Sequence, residues 1–189
     1  MRRRTFDTLV SLTGMLLVVV LLVAGGLLTW GHNYIGSQVY TQLTSQKIYF
    51  PAANSPSIAG PEFAPMKKYA GQLLSTGAQA EVYADHYIAN HLNAVANGKT
   101  YAQLSSEAQA NPSNTTLANE VNTLFKGEAL RGMLLDAYAF GTMGTIMGYA
   151  AIGAFIAAAI MLVLSILGLY HARKTDPDAE VLTGEKISS

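Results

Sequence analysis

Two long segments without a charged side chain constrain this chain more than any other feature of its sequence. Residues 8–46 and 137–172 contain no Asp, Glu, Lys or Arg. Inside them, residues 9–30 and 149–170 are almost unbroken apolar runs. A helix of about 20 apolar residues crosses the roughly 30 Å hydrocarbon core of a bilayer, and a backbone in lipid must satisfy its own hydrogen bonds. Each run is therefore predicted to be a transmembrane helix.

Composition excludes several classes of protein. Only 13% of the residues are charged, whereas soluble domains carry about 25%. The charges of Lys+Arg 12 and Asp+Glu 12 cancel to a formal net charge of zero. The chain therefore lacks the excess of positive charge that is typical of nucleic-acid-binding proteins. The absence of cysteine excludes disulfides, thiolate catalysis and Cys-ligated metal centres. We expect the lipid bilayer, and no nucleic acid, among the partners.

Basic residues outside the apolar runs predict the orientation of the chain. Arginines occupy positions 2–4, and Arg173 and Lys174 follow the second run. Because positive flanks stay in the cytoplasm, a two-pass protein of the plasma (inner) membrane with both ends cytoplasmic is expected. A cleaved signal peptide is the alternative for the first run. Its apolar stretch continues to Trp30, beyond the usual 7–15 residues, so an uncleaved anchor is predicted.

The predicted fold is an all-α membrane protein in which two transmembrane helices bracket a small extracytoplasmic helical bundle. Helix-favouring Ala, Gln, Leu, Glu and Lys dominate the region between the runs, and the alternating pattern of strands is missing. The predicted segments are a basic cytoplasmic N-terminus (1–8), the first transmembrane helix (9–30), the extracytoplasmic helical domain (31–136), the second transmembrane helix with its outer extension (137–171) and a disordered cytoplasmic tail (172–189).

Local signals subdivide the central region. The first helix is predicted to continue over 33–48, with a proline-rich loop over 51–65 and a helix over 65–97 that carries a stripe of small and apolar residues. Thr100 and Gln103 form a capping box for a short helix that should end before Pro112. A last helix is predicted to begin near residues 113–116 and to run into the second span without a break.

The best candidates for chemistry are Glu81, Asp85, His86 and His91. Glu81 and Asp85 share a helix face, but His86 and His91 point about 140° apart in an α-helix. These residues are expected to be solvated charges and partly packed histidines, and no catalytic residue, metal or cofactor is predicted. Neither apolar run contains Asp, Glu, Lys, Arg or His, which argues against a self-contained pump, channel or transporter.

Small residues at helical spacing mark the second span as a packing surface. Such stripes let helices approach closely in lipid. Two interpretations are open: packing against the chain's own first helix through Gly14, Gly25 or Gly26, or docking onto another integral membrane protein. The predicted partner-binding residues are Gly141, Gly144, Gly148, Tyr149, Ala150, Ala154 and Ala158 in the membrane, with Arg131, Asp136 and Tyr138 at its outer edge.

Four stretches carry a resemblance that covers nearly the whole chain except its tail. They are residues 3–9 (RRTFDTL), 81–89 (EVYADHYIA), 98–108 (GKTYAQLSSEA) and 124–138 (LFKGEALRGMLLDAY). In these the chain resembles an actinobacterial family of two-span membrane proteins, often labelled "aromatic ring-opening dioxygenase LigA". The resemblance implies the two-span topology and a mycobacterial-type envelope. It transfers no catalytic residue, because such a dioxygenase needs converging His and carboxylate iron ligands.

The sequence favours a non-enzymatic accessory subunit of a larger plasma-membrane complex. A mycobacterial-type lipid transporter of the Mce kind is the first candidate host, and a respiratory supercomplex is the alternative. A ligand-sensing receptor has the same layout, but residues 171–189 are short for an output domain, so a sensor would signal through a partner. An enzyme, the third hypothesis, would need a bound metal.

Overall fold

The structure, a computed structural model, describes residues 2–176, 179 and 181. Within these residues every regular element is helical, which confirms the all-α prediction. The elements are α1 (Arg3–Ser45), two 3₁₀ helices (Pro56–Ile58 and Pro61–Tyr69), α2 (Gly77–Val82), a π-helix (Tyr83–Ile88), α3 (Ala89–Val95), α4 (Tyr101–Ala110) and α5 (Thr115–Lys174). By length and composition, α1 and α5 could each cross a membrane, with mean hydropathies of 2.5 and 2.7 in their most apolar windows.

The chain divides into two compact units whose boundaries fall inside α1 and α5. Residues 1–32 and 145–189 form one unit, called the helix pair below. Residues 33–144 form the other, called the helical domain. Of the predicted tail, residues 172–174 belong to α5. The rest lies largely outside the described residues.

In the helix pair, α1 and α5 pack antiparallel along a seam of small side chains. The buried positions recur every seven residues, which is the spacing of a left-handed helix–helix seam. A Cβ added to Gly14 would meet Ser165, and one added to Gly25 would lie 2.8 Å from the Phe155 ring. Gly26 faces open space. The buried residues of the seam include Ser11, Val18 and Gly25 on α1, and Ala151, Ala158, Ser165 and Ala172 on α5.

The helical domain has its own apolar core. Its fully buried large side chains are Ile58, Met66, Leu74 and Leu124. Ile58 lies in the first 3₁₀ helix, within the proline-rich segment 51–65 that is predicted to be a loop, and Met66 lies in the second, which runs past that segment to Tyr69. Because this segment supplies core residues, it is an ordered part of the domain.

The predicted helix over 65–97 is wrong in its first part. Residues 70–76 are not helical, and the Leu74 N–H donates to the Ile48 carbonyl oxygen at 2.8 Å, which holds this stretch extended. Helix α2 begins only at Gly77, after a capping box in which the Thr76 side chain accepts from the Gln79 N–H at 3.2 Å. A side-chain oxygen at that position satisfies a helix N-terminus and so sets its start.

The other local predictions agree with the structure. Thr100 and Gln103 form the predicted capping box at the start of α4. Helix α4 ends at Ala110, before Pro112, and α5 begins at Thr115. Helix α1 ends at Ser45, so its C-terminus comes slightly earlier than predicted.

Candidate functional site

The four candidates for chemistry lie on one continuous helical stretch formed by α2, the π-helix and α3. Three of these side chains have an identified hydrogen-bond partner. The Asp85 carboxylate accepts a hydrogen bond from the Arg131 guanidinium at 2.9 Å. His86 Nδ1 lies 3.0 Å from the Glu62 carbonyl oxygen, and His91 Nδ1 lies 2.7 Å from that of Tyr87. A carbonyl oxygen only accepts, so Nδ1 of both histidines carries the proton.

The π-helix at Tyr83–Ile88 places aromatic rings in a row. Its wider turn, with hydrogen bonds from residue i to i+5, shifts the phase of the residues that follow. The ring centroids of Tyr83 and Tyr87 are 4.8 Å apart, and those of Tyr87 and His91 are 4.3 Å apart. Phe50 meets the Tyr83 ring edge-on at 5.3 Å. His91 is therefore a packed member of this aromatic row.

Burial in this row changes the acidity of one phenol. It raises the pKa of Tyr83 to about 12, and the neighbouring Tyr87 adds to the effect. Burial disfavours the charged form of a phenol. Tyr83 therefore stays neutral even at a pH at which a free tyrosine would ionise. In the part of the chain that the structure describes, no group of three or more His, Asp or Glu side chains is placed to hold a metal ion.

The predicted outer-edge residues Arg131, Asp136 and Tyr138 have different surroundings in the structure. The guanidinium of Arg131 contacts Asp85 at 2.9 Å and Glu128 at 3.5 Å, and the hydrogen bond to Asp85 raises the pKa of Arg131. Asp136 is exposed, and Tyr138 is half-buried. The Arg131 side chain is one-third exposed (33%), so its ion pair is worth about 0–1 kcal/mol.

Gly141 makes a close backbone contact inside the helical domain. A Cβ added to it would lie 3.2 Å from the Cα of Gly77, at the first turn of α2. A Cβ added to Gly77 would lie 3.0 Å from the Ala137 carbonyl oxygen. Two helices therefore touch through their backbones at this point, and glycine on both sides permits it.

The predicted small residues nearer the C-terminus of α5 divide between two faces. Gly148 packs on the chain itself, since a Cβ there would lie 3.0 Å from Nδ1 of His32. Ala158 is buried in the seam with α1, and Ala154 is half-buried. Tyr149 and Ala150 are exposed, with Tyr149 at 72%. Gly144 is buried.

The exposed face of α5 continues beyond the predicted residues. Gly153 has no atom within 4 Å of where its Cβ would be, and Ala157 is exposed. Together with Ala150, these residues form a shallow stripe that we call the outer face of α5. The spacing of Ala150, Gly153 and Ala157 at three and four residues is a sequence signal of the same kind as the predicted stripes of small residues, although Gly153 and Ala157 are not among the predicted residues.

A cavity of about 400 Å³ opens beside Tyr149 in the helix pair. Its walls include Thr29 and His32 of α1 and Ile152 and Phe155 of α5. The exposed Tyr149 ring stands next to an apolar hollow large enough to receive side chains from outside the chain.

Comparison with known proteins adds no relative. No protein-family model, no curated protein and no solved structure matches the chain. The chain's own residues and their geometry are therefore what bear on its function.

Proposed function

We propose that this protein is a non-enzymatic accessory subunit of a plasma-membrane complex. Helices α1 and α5 cross the membrane, both ends are cytoplasmic and the helical domain is extracytoplasmic. The observation that carries the proposal is the exposure of the helix pair: only 22% and 17% of the most apolar windows of α1 and α5 are buried. An apolar surface this large needs lipid or protein against it.

Large aliphatic side chains on both helices support insertion into lipid. Leu16 and Leu27 on α1 are each 64% exposed, and Ile146 on α5 is 61% exposed. In water each such side chain would forgo about 1.5–3 kcal/mol of burial free energy. In the bilayer the same side chains rest in hydrocarbon, which removes that cost.

The outer face of α5 is the proposed docking surface for an integral membrane protein. Helix association in lipid depends on close packing, for which small residues are suited. The seam with α1 already uses one set of small residues, including Gly148 and Ala158. Ala150, Gly153 and Ala157 form a second set that the chain's own packing does not need.

The non-enzymatic part of the proposal rests on how the polar candidates are used. Asp85 pairs with Arg131, while His86 and His91 bind backbone carbonyls. Asp85 and His86 are thus engaged between segments of the helical domain, and His91 within its own helical stretch. We further propose that the chain belongs to the actinobacterial two-span family that it resembles, with an Mce-type lipid transporter as the host complex and a respiratory supercomplex as the alternative.

The proposed topology can be tested cleanly because the natural chain has no cysteine. Thr5→Cys and Ser113→Cys place single thiols at exposed positions near the N-terminus and in the helical domain. We expect a membrane-impermeant maleimide to label Ser113→Cys in intact spheroplasts and Thr5→Cys only after permeabilisation. The cysteine-free parent provides the background. Equal labelling of both variants in intact spheroplasts would contradict the topology.

The partner is tested by co-purification from native membranes in mild detergent. We expect one integral membrane protein to remain with the chain in a fixed molar ratio, and its identity would distinguish the two candidate hosts.

A further inference from the structure

The helical domain also contains an open groove. It has a volume of about 640 Å³ and lies between residues 34–48 and residues 130–140. This volume is within the range of about 300–1,000 Å³ that is typical of small-molecule sites. All of the lining residues belong to the helical domain, so the groove is a property of that unit alone.

The floor of the groove and part of its rim are apolar. Val39 and Leu43 of α1 and Leu134 of α5 are buried in the floor. Met133 and Phe140 stand at the rim with exposures of 67% and 56%. Residues 34–45 of α1 extend about 16 Å along the helix axis at 1.5 Å per residue. An elongated groove with an apolar floor suits an extended aliphatic chain.

The polar lining of the groove restricts the headgroup of such a ligand. Exposed Gln38 and Gln42 on α1 and Gln46 just after its end recur at intervals of four, and each amide can both donate and accept hydrogen bonds. Asp136 is the charged residue of the lining, which contains no Lys or Arg. Because no basic side chain in the lining offsets this carboxylate, it repels anionic groups and tolerates neutral or zwitterionic ones.

We infer that this groove binds one acyl chain of a bilayer lipid whose headgroup carries no net negative charge, with the glutamine amides against the ester and headgroup atoms. The choice of a bilayer lipid rests on the proposed function. Tyr34, at one end of the groove, follows Trp30 by one turn of α1. In the proposed topology this end lies at the level of the lipid headgroups, where an acyl chain can enter from the membrane.

Photolabelling of the full chain tests the inference. The chain is reconstituted in phosphatidylcholine vesicles that contain a phosphatidylcholine probe with a diazirine on one acyl chain, and the adducts are mapped by mass spectrometry. We expect adducts on residues 34–46 and 130–140 as well as on the two apolar runs. A phosphatidylglycerol probe with the same diazirine-bearing acyl chain should label the groove at least about fivefold less, because its negative headgroup is repelled by the Asp136 carboxylate.

A double variant at the rim provides the matched comparison. Met133→Gln with Phe140→Gln replaces two exposed side chains, so the fold should tolerate it, and groove labelling should fall at least about fivefold while labelling of residues 9–30 is unchanged. Three results would overturn the inference: no groove adducts in the wild type, equal labelling by both probes, or, in the co-purified complex, a partner peptide in the groove in place of lipid. Absence of adducts from residues 9–30 would instead contradict the proposed function.

Discussion

Replacing Gly77 by leucine should strongly destabilise the helical domain. A Cβ at this position would lie 3.0 Å from the Ala137 carbonyl oxygen, 3.1 Å from the Tyr138 Cα and 3.3 Å from the Gly141 Cα. These are backbone atoms of α5, so they cannot rotate aside as a flexible side chain could. Overpacking of this kind costs about 3 kcal/mol or more, which corresponds to a fall in Tm of about 10 °C for a chain of this size.

Thermal unfolding of the purified full chain, followed by far-UV circular dichroism, measures this effect. Gly132→Ala is the matched control, because Gly132 lies in α5 and nothing is within 4 Å of its Cβ position. Alanine is favoured over glycine inside a helix by about 0.5–1 kcal/mol, so this variant should melt at or slightly above the wild-type temperature. A Gly77→Leu variant that melts with the wild type would show that α2 and α5 do not make the close contact.

Replacing Gly153 by leucine should release the membrane partner while the chain stays folded. The added side chain enters open space within the chain, because no atom lies within 4 Å of the Cβ position. A partner helix packed on the outer face would be pushed away, since small residues are what permit close approach in lipid. We expect the amount of co-purified partner to fall about tenfold or more, which is about 1.4 kcal/mol or more of binding free energy.

Gly26→Leu is the matched control for this prediction. Gly26 lies in the apolar part of α1 and also faces open space, so the substitution adds the same side chain in the same kind of environment. It should keep the partner, because the proposed docking surface is on α5. Gly148→Leu is less informative, since its side chain would press on His32 and disturb the seam. Equal retention of the partner by Gly153→Leu and Gly26→Leu would remove the outer face of α5 as the docking surface.

Features of the fold that depend on neighbouring residues were predictable from the sequence. The capping box at Thr100 and the long helix α5 follow from local spacing and composition. The start of α2 carries the same local signal, the Thr76 and Gln79 capping box, which the prediction of one helix over 65–97 overlooked. That the preceding stretch is extended depends on a distant contact, the hydrogen bond from the Leu74 N–H to the Ile48 carbonyl. The stripe of small and apolar residues over 65–97 gives no indication of that contact.

The candidate site was predictable only in part, for the same reason. The sequence identified small residues in the second span, but which of them face α1 depends on the packing of two helices distant in sequence. Gly148 packs against His32 whereas Ala150 is exposed, and only the packing of the two helices distinguishes these small residues. Likewise, Arg131 and Asp85 are far apart in the chain, and their ion pair follows from the tertiary structure.

The central claim, that the protein is a subunit of a membrane complex, is tested most directly by the molar ratio of protein that co-purifies with it. The tagged full chain is extracted from its native membranes in mild detergent and the eluate is quantified by mass spectrometry. We predict one integral membrane protein in a fixed, near-equimolar ratio to the chain. A chain that elutes alone, with every other membrane protein at background level, would contradict the claim.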